Sequence, residues 1–206
     1  MNIYKIYLEL SKKYKKLDKY WKLWCKRKKS WQEREKIAIG AILTQRTNWK
    51  NVEIALNNLE EKKILSIRKI YQIGKNNLSD LEELIKPSGF YRQKAKYLFG
   101  FCKFIIENYK TFKNFLKQDI DKARKQLLNL EGIGKETADS ILLYACDKPV
   151  FVIDEYTRRL TKKYHLANNF SYDFLQAFFE SQLPKNPKIY QDFHAMIVLE
   201  GQKIQH

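Results

Sequence analysis

The stretch LEGIGKETADSILLYA, residues 130–145, decides how this chain is read. Gly132 and Gly134 flank Ile133, and a helical pattern begins at once. Glycines permit backbone angles that side chains block, and without a Cβ the main chain can come close to a ligand. Ile133 is expected to plug inward and hold the turn against the core. Ala138, Ile141, Leu142 and Ala145 then recur at i, i+3, i+4 and i+7, one face of a helix. The free N–H groups at that helix start favour an anion, and Lys135 adds a full charge beside them. The preceding segment, 119–129, is amphipathic and is expected to pack against it as a hairpin.

A plain corner between two helices would look similar, so the turn alone names no ligand. A nucleotide cradle is disfavoured. The Walker pattern is missing, Thr137 stands where the third glycine of a dinucleotide fingerprint would be, and no strand precedes the turn. Composition points to another anion. Lys and Arg number 40 against 23 Asp and Glu, a net charge of +17. Such an excess favours a polyanion, bound through phosphate contacts and counterion release. A biased codon pool would account for part of a Lys-, Ile- and Asn-rich composition. A backbone phosphate of DNA is the better anion, and such contacts position without reading sequence.

The chain has 206 residues, 44% of them hydrophobic, enough to bury a sizeable core. Cys25, Cys102 and Cys146 are widely spaced with no Cys-x-x-Cys pair, against a thiolate-held zinc or iron–sulfur site. An odd cysteine count without a signal peptide fits a reducing cytoplasm. Apolar runs such as ILLYAC are too short to span a bilayer.

Helical periodicity dominates. Ile37, Gly40, Ala41 and Thr44 share a face, with Ile39, Ile42 and Leu43 beside it, so the segment before Gln45 reads as a buried helix. Asn48 is placed to cap a helix through Leu59. Residues 78–85 read as a helix stopped by the turn cluster Lys86-Pro87-Ser88-Gly89. Further helices are expected at 91–108, 172–183 and 187–200. The one β-like run is 150–153. The expected fold is all-α, a single unit over 1–206 with two helical lobes. One spans approximately 35–150 and includes the hairpin, about 119–146. The other combines 1–34 with 151–206, and an active-site groove lies between them.

LEGIGKETADSILLYA followed by FVIDEYTRRL resembles the helix-hairpin-helix and Gly/Pro-Asp region of the endonuclease III superfamily of DNA glycosylases. Gly132, Gly134, Thr137, Ala138, Asp154 and Arg159 fall at the family's positions, with Ile153 in place of a valine. AILTQRTNWKNVE (41–53) and SGFYRQKA (88–95) resemble two further family segments, so the resemblance spans roughly 37–160. It implies that Asp154 is catalytic. An ionised carboxylate stabilises an oxocarbenium-like sugar or orients a water at C1′; as an ordinary helix cap it would look the same. Bifunctional members carry a lysine at the switch position, which forms a Schiff base and cleaves the strand. Here that position is Glu136, and Lys135 is rotated about 100° around the helix. Water is then the nucleophile.

Founding members end with four cysteines holding a [4Fe–4S] cluster, and this chain ends FHAMIVLEGQKIQH. The lineage resembled is the cluster-less 3-methyladenine DNA glycosylases of endonuclease III type. The resemblance implies base excision repair of alkylated purines with no lyase step, no required cofactor, no metal and no iron–sulfur cluster. It leaves open a monovalent cation at the hairpin and a carbamylated lysine. Lys203 is the nearest candidate for that carbamate, with Gln202 competing for the position. The partner implied is double-stranded DNA with damaged bases, bound by a monomer in a prokaryotic cytoplasm, with no membrane.

An aromatic pocket suits a flat, electron-poor base once it leaves the stack. Trp49, Trp21 and Trp24 are its expected walls, with Glu136 beside them, while Trp31 reads as core. Gln45 is expected to fill the space left by the flipped nucleotide, and the Ser88 loop to press the minor groove. Gly132, Ile133, Gly134 and Lys135 form the phosphate turn. Lys50, Arg92, Lys94, Arg158 and Arg159 are further candidate phosphate contacts, each also readable as a solvated cation. Two other readings stay open: a mismatch or oxidised-base glycosylase/AP lyase of the same fold, and a helix-hairpin-helix DNA-binding protein without catalysis.

Overall fold

The computed structural model describes residues 2–17 and 19–203, the side chain of Tyr20 excepted. Every regular element among them is helical. In chain order these are α1 (Ile3–Lys13), α2 (Lys19–Trp24), α3 (Trp31–Leu43), α4 (Trp49–Glu61), α5 (Ile67–Asn76) and α6 (Leu78–Ile85). A short 3₁₀ turn (Lys86–Ser88) follows, then α7 (Tyr91–Tyr109), α8 (Phe112–Phe115), α9 (Ile120–Leu128) and α10 (Lys135–Ser140). A π-helical turn (Ile141–Ala145) leads towards α11 (Glu155–Lys163), α12 (Tyr172–Ser181) and α13 (Pro187–Lys203).

The helices begin where short polar side chains can take up orphan N–H groups. Ser30 and Glu33 form a reciprocal capping box on α3. Asn48 caps α4 through Asn51 N, and Asp119 caps α9 through the amides of Asp121 and Lys122. Each such cap contributes about 1 kcal/mol.

The chain divides into two compact units, one of residues 29–141 and one of residues 1–28 with 142–206. In the first, α7 packs against α3, α5, α6 and α8, and α4 packs against α3, α6 and the 3₁₀ turn. Residues 37–43 of α3 are all buried, as the sequence predicts for a helix without a polar face. Leu98, Phe101, Cys102 and Ile105 of α7 complete that core. In the second unit α13 is the central element and packs against α1 and α11. Phe151, Phe179, Tyr190 and Phe193 form its aromatic core, with Phe151 stacked on Phe179 at 4.9 Å.

Three sequence expectations are corrected here. The β-like run 150–153 is extended and buried but pairs with no strand. Side chains of α12 serve its backbone: Glu180 accepts from Phe151 N at 2.7 Å, and Gln176 donates to Phe151 O at 2.7 Å. Trp31 is not core but 47% exposed, because it opens α3 beside the Ser30 cap, with the cations of Arg34 and Lys113 over its ring. Lys94 is not a solvated phosphate contact. It is 2% exposed, and its ammonium donates to Leu43 O at 2.8 Å and Ser88 O at 2.5 Å. Burial pushes it down to about 8.

Candidate functional site

The hairpin is built within the first unit. α9 and α10 are braced by Arg124, whose guanidinium donates to both oxygens of the fully buried Asp139 at 2.7 and 3.0 Å. Gly132 has φ +73°, and a Cβ there would lie 2.3 Å from the Tyr97 ring, so glycine is required twice over. Ile133 is 3% exposed and does plug inward. Ala138, Ile141, Leu142 and Ala145 are all fully buried, matching the face read from the sequence. Gly134 differs from Gly132. Its φ is −83° and a Cβ would meet nothing within 4 Å, so neither backbone nor packing within the chain demands glycine there. Gly134 also begins α10 without any side-chain cap. The turn thus presents bare, open main chain, with Lys135 and Glu136 exposed on the first turn behind it.

Gln45 lies just past α3, half-buried. Its amide donates to Gly132 O at 2.8 Å and to Thr137 Oγ1 at 3.1 Å, so the structure joins two of the predicted residues directly. Ser88 is fully buried and donates to Ile85 O at 2.7 Å. The exposed residue of that loop is Phe90, 60% exposed at φ +47°. Sequence reasoning missed it, although a bulky aromatic directly after the turn glycine was a usable signal. Trp49 opens α4 half-buried.

The carboxylate belongs to the second unit. Asp154 caps α11: Oδ1 accepts from Thr157 N at 2.7 Å and from the Thr157 hydroxyl at 2.9 Å. Oδ2 lies 3.4 Å from His194 Nε2 on α13, and the carboxylate side chain is 13% exposed. Burial pushes this carboxyl up, but the His194 imidazole and the two Thr157 donors outweigh it, so the group is held below the ordinary range. It is ionised at neutral pH. His194 was not anticipated, since nothing in the sequence ties it to an aspartate forty residues earlier. Trp21 and Trp24 are brought together beside this pair. Their rings meet at 6.0 Å, both approach Tyr144, and Trp21 meets the His194 ring edge-on at 6.0 Å.

Of the remaining predicted cations, Arg159 pairs with Glu155 at 3.1 Å and lies over the Tyr156 ring, while Arg158 Nε donates to Phe170 O at 3.4 Å. Lys203 is exposed, its ammonium 4.7 Å from the centre of the Tyr14 ring. All three cysteines are buried thiols outside any disulfide. Among the described residues no group of three or more His, Cys, Asp or Glu is placed to hold a metal ion. No helix among them is long and apolar enough to cross a membrane.

Comparison with known proteins agrees with this geometry. A family model described as HhH-GPD superfamily base excision DNA repair protein matches residues 39–185. A chain from Methanocaldococcus jannaschii, provisionally named a DNA repair glycosylase, is 46% identical over 81% of this chain and 76% of its own length. Endonuclease III of Thermotoga maritima is 30% identical over 62% of this chain and 55% of its own. Among solved structures, the H. pylori 3-methyladenine DNA glycosylase MagIII bound to 1,N6-ethenoadenine superimposes with TM-score 0.83. It is 31% identical and covers 100% of this chain and 99% of that one. Endonuclease III in a non-covalent DNA complex shares the fold, with TM-score 0.73 at 21% identity. With the hairpin, the capping aspartate and the family match in agreement, this chain belongs to the HhH-GPD superfamily of base excision DNA repair glycosylases.

Proposed function

We propose that the chain is a monofunctional DNA N-glycosylase for alkylated purines of the 3-methyladenine class. The observation that carries the reading is Asp154: a nearly buried carboxylate, fixed by a helix start and kept ionised, with two tryptophans nearby in the same unit. A purine methylated on a ring nitrogen is cationic and leaves with the electrons of the C1′–N bond. The enzyme then needs a negative charge beside the sugar more than it needs an acid. Water forms the new bond to C1′ and gives up a proton to Asp154. Trp21 and Trp24, beside Asp154, supply aromatic surfaces for the base; each stack contributes about 1–3 kcal/mol.

In this reading the turn Gly132–Lys135 holds a DNA backbone phosphate through main-chain N–H groups, because the space before Gly134 is open. Gln45 enters the stack after releasing Gly132 O. Phe90 rather than the buried Ser88 presses the duplex, and Arg159 is a further phosphate contact. Glu136 at the switch position disfavours a lyase step. The similarity to MagIII over the whole chain supports the alkylated-base assignment. The Thermotoga endonuclease III relative favours a second reading, a bifunctional enzyme for another lesion.

Base release from methylated DNA, followed by strand analysis with and without hot alkali, separates these readings. Release of 3-methyladenine with breaks only after alkali supports the first. Breaks without alkali, or a borohydride-trapped adduct, support the second. No release from any damage panel supports DNA binding without catalysis.

A further inference from the structure

His194 is 5% exposed and is buried between two oxygen atoms. Nδ1 lies 2.7 Å from the Tyr144 hydroxyl, and Nε2 lies 3.4 Å from Asp154 Oδ2. Nε2 is sealed from solvent and completes no hydrogen bond in the free chain. Tyr144 is itself fixed: its hydroxyl also reaches Gln191 O at 3.2 Å, and the Gln191 amide is held by Leu143 O and Asp147 at 2.7 and 2.8 Å. The rings of Trp21 and Phe151 stand edge-on to the imidazole at 80° and 84°. The imidazole therefore has one orientation.

The tyrosine hydroxyl has a single proton. Given to Nδ1, along the shorter contact, it makes Nε2 the protonated nitrogen of a neutral ring. Given to Gln191 O, it makes Tyr144 an acceptor for Nδ1–H, and Nε2 then carries a proton only in the imidazolium. The remaining form, a neutral ring with a bare Nε2, would set a lone pair against a buried carboxylate. Both favourable arrangements therefore place a protonated Nε2 3.4 Å from Asp154 Oδ2. Oδ1 is already committed to the Thr157 amide and hydroxyl, which leaves Oδ2 facing His194. At 3.4 Å the histidine contact is longer than a full hydrogen bond. Oδ2 is oriented but keeps the capacity to accept a proton from an attacking water.

We propose that His194 is the positioning residue for Asp154, with Tyr144 selecting which ring nitrogen carries the proton. Its functional consequence rests on the glycosylase reading; the pairing itself does not. The titratable groups facing the pair are Tyr144 from the π-turn, Asp154 at the start of α11, Cys25 after α2, and Asp192 on α13, which Arg27 pairs.

Two measurements test this. In the first, urea unfolding of wild type, H194Q, D154N and the double variant gives a coupling constant without any substrate. A contact pair of this kind is expected to couple by about tenfold in the unfolding constant; additive variants overturn the pairing. In the second, single-turnover base release from methylated DNA is followed from pH 3 to 8.5 at saturating enzyme, with enzyme-free release subtracted. H194A should lose activity on acidification at a pH about one unit or more above the wild type, with DNA affinity kept. H194Q, whose amide still donates, should recover most of the rate at the acidic pH where H194A loses it, and Y144F should shift the limb less than H194A. An unmoved acid limb in H194A overturns the role. If wild type releases no base, the glycosylase reading fails, and the unfolding cycle still decides the pair.

Discussion

The Gln45 amide donates to the Gly132 carbonyl at 2.8 Å, so the residue after α3 and the glycine turn of the hairpin are tied by one side chain. Replacing it should therefore act twice. Gln45→Ala should lower stability by about 1–2 kcal/mol in urea, from two lost hydrogen bonds in a half-buried setting. Base release should fall further than that loss implies, since the same side chain is proposed to enter the duplex. A variant with lowered stability and wild-type excision would leave Gln45 as a tether alone.

The two glycines of the hairpin should separate cleanly. Gly132→Ala meets both the positive φ and the Tyr97 ring, and should cost about 2–4 kcal/mol of stability by thermal or urea unfolding. Gly134→Ala meets neither, and should leave stability within about 0.5 kcal/mol. Its added methyl stands where a phosphate is proposed to approach, so DNA affinity should drop. Unchanged affinity in Gly134→Ala would remove that contact.

Lys94 makes stability depend on pH in an alkaline window. Burial holds the folded ammonium at about 8, against an ordinary lysine near 10.5. Between those values the unfolded chain binds more protons than the folded one, so this group makes stability rise as pH increases. Below about 8 both states are protonated and its contribution is constant. Urea midpoints at pH 7 and pH 10 should show that rise in the wild type and a flatter difference in Lys94→Met. Equal differences in the two proteins would mean the ammonium is not desolvated as its burial implies.

Asp154 acts in the same direction, but in an acid window. Its carboxyl is held below the ordinary range, so its stabilising effect is complete above the unfolded value near 4 and is lost as pH falls through the folded value. Asp154→Asn should abolish base release while retaining DNA binding, and its stability should fall less on acidification than that of the wild type. Residual excision at a tenth of the wild-type rate or more would point to a different carboxylate.

Much of the hairpin was legible because its signals are local. Gly132 and the inward Ile133, like the Asn48 cap of α4, are each set by neighbours within a few residues. Trp31 and Lys94 were misread because their environments are not. A tryptophan at helical spacing reads as core, but Trp31 opens its helix, where no earlier turn covers it. A lysine on a polar helix reads as solvated, but Lys94 answers two carbonyls, of Leu43 and Ser88, brought from separate segments. α5 carries an amphipathic face that a segment crowded with Lys, Asn and Gln obscured. His194 was illegible for the same reason as Lys94: its meaning lies in Asp154 and Tyr144, distant in sequence and adjacent only once α11 and α13 pack.

The segment leading into Asp154 is in effect a strand whose neighbours are side chains. Because Glu180 and Gln176 supply the acceptor and donor that a sheet would provide, the amide of Phe151 should resist hydrogen–deuterium exchange as a helical amide does, although it lies in no helix. Its protection would report on α12 rather than on the segment itself. Drift at either α12 position would loosen the approach to the carboxylate without touching it, so the two residues are expected to vary together or not at all.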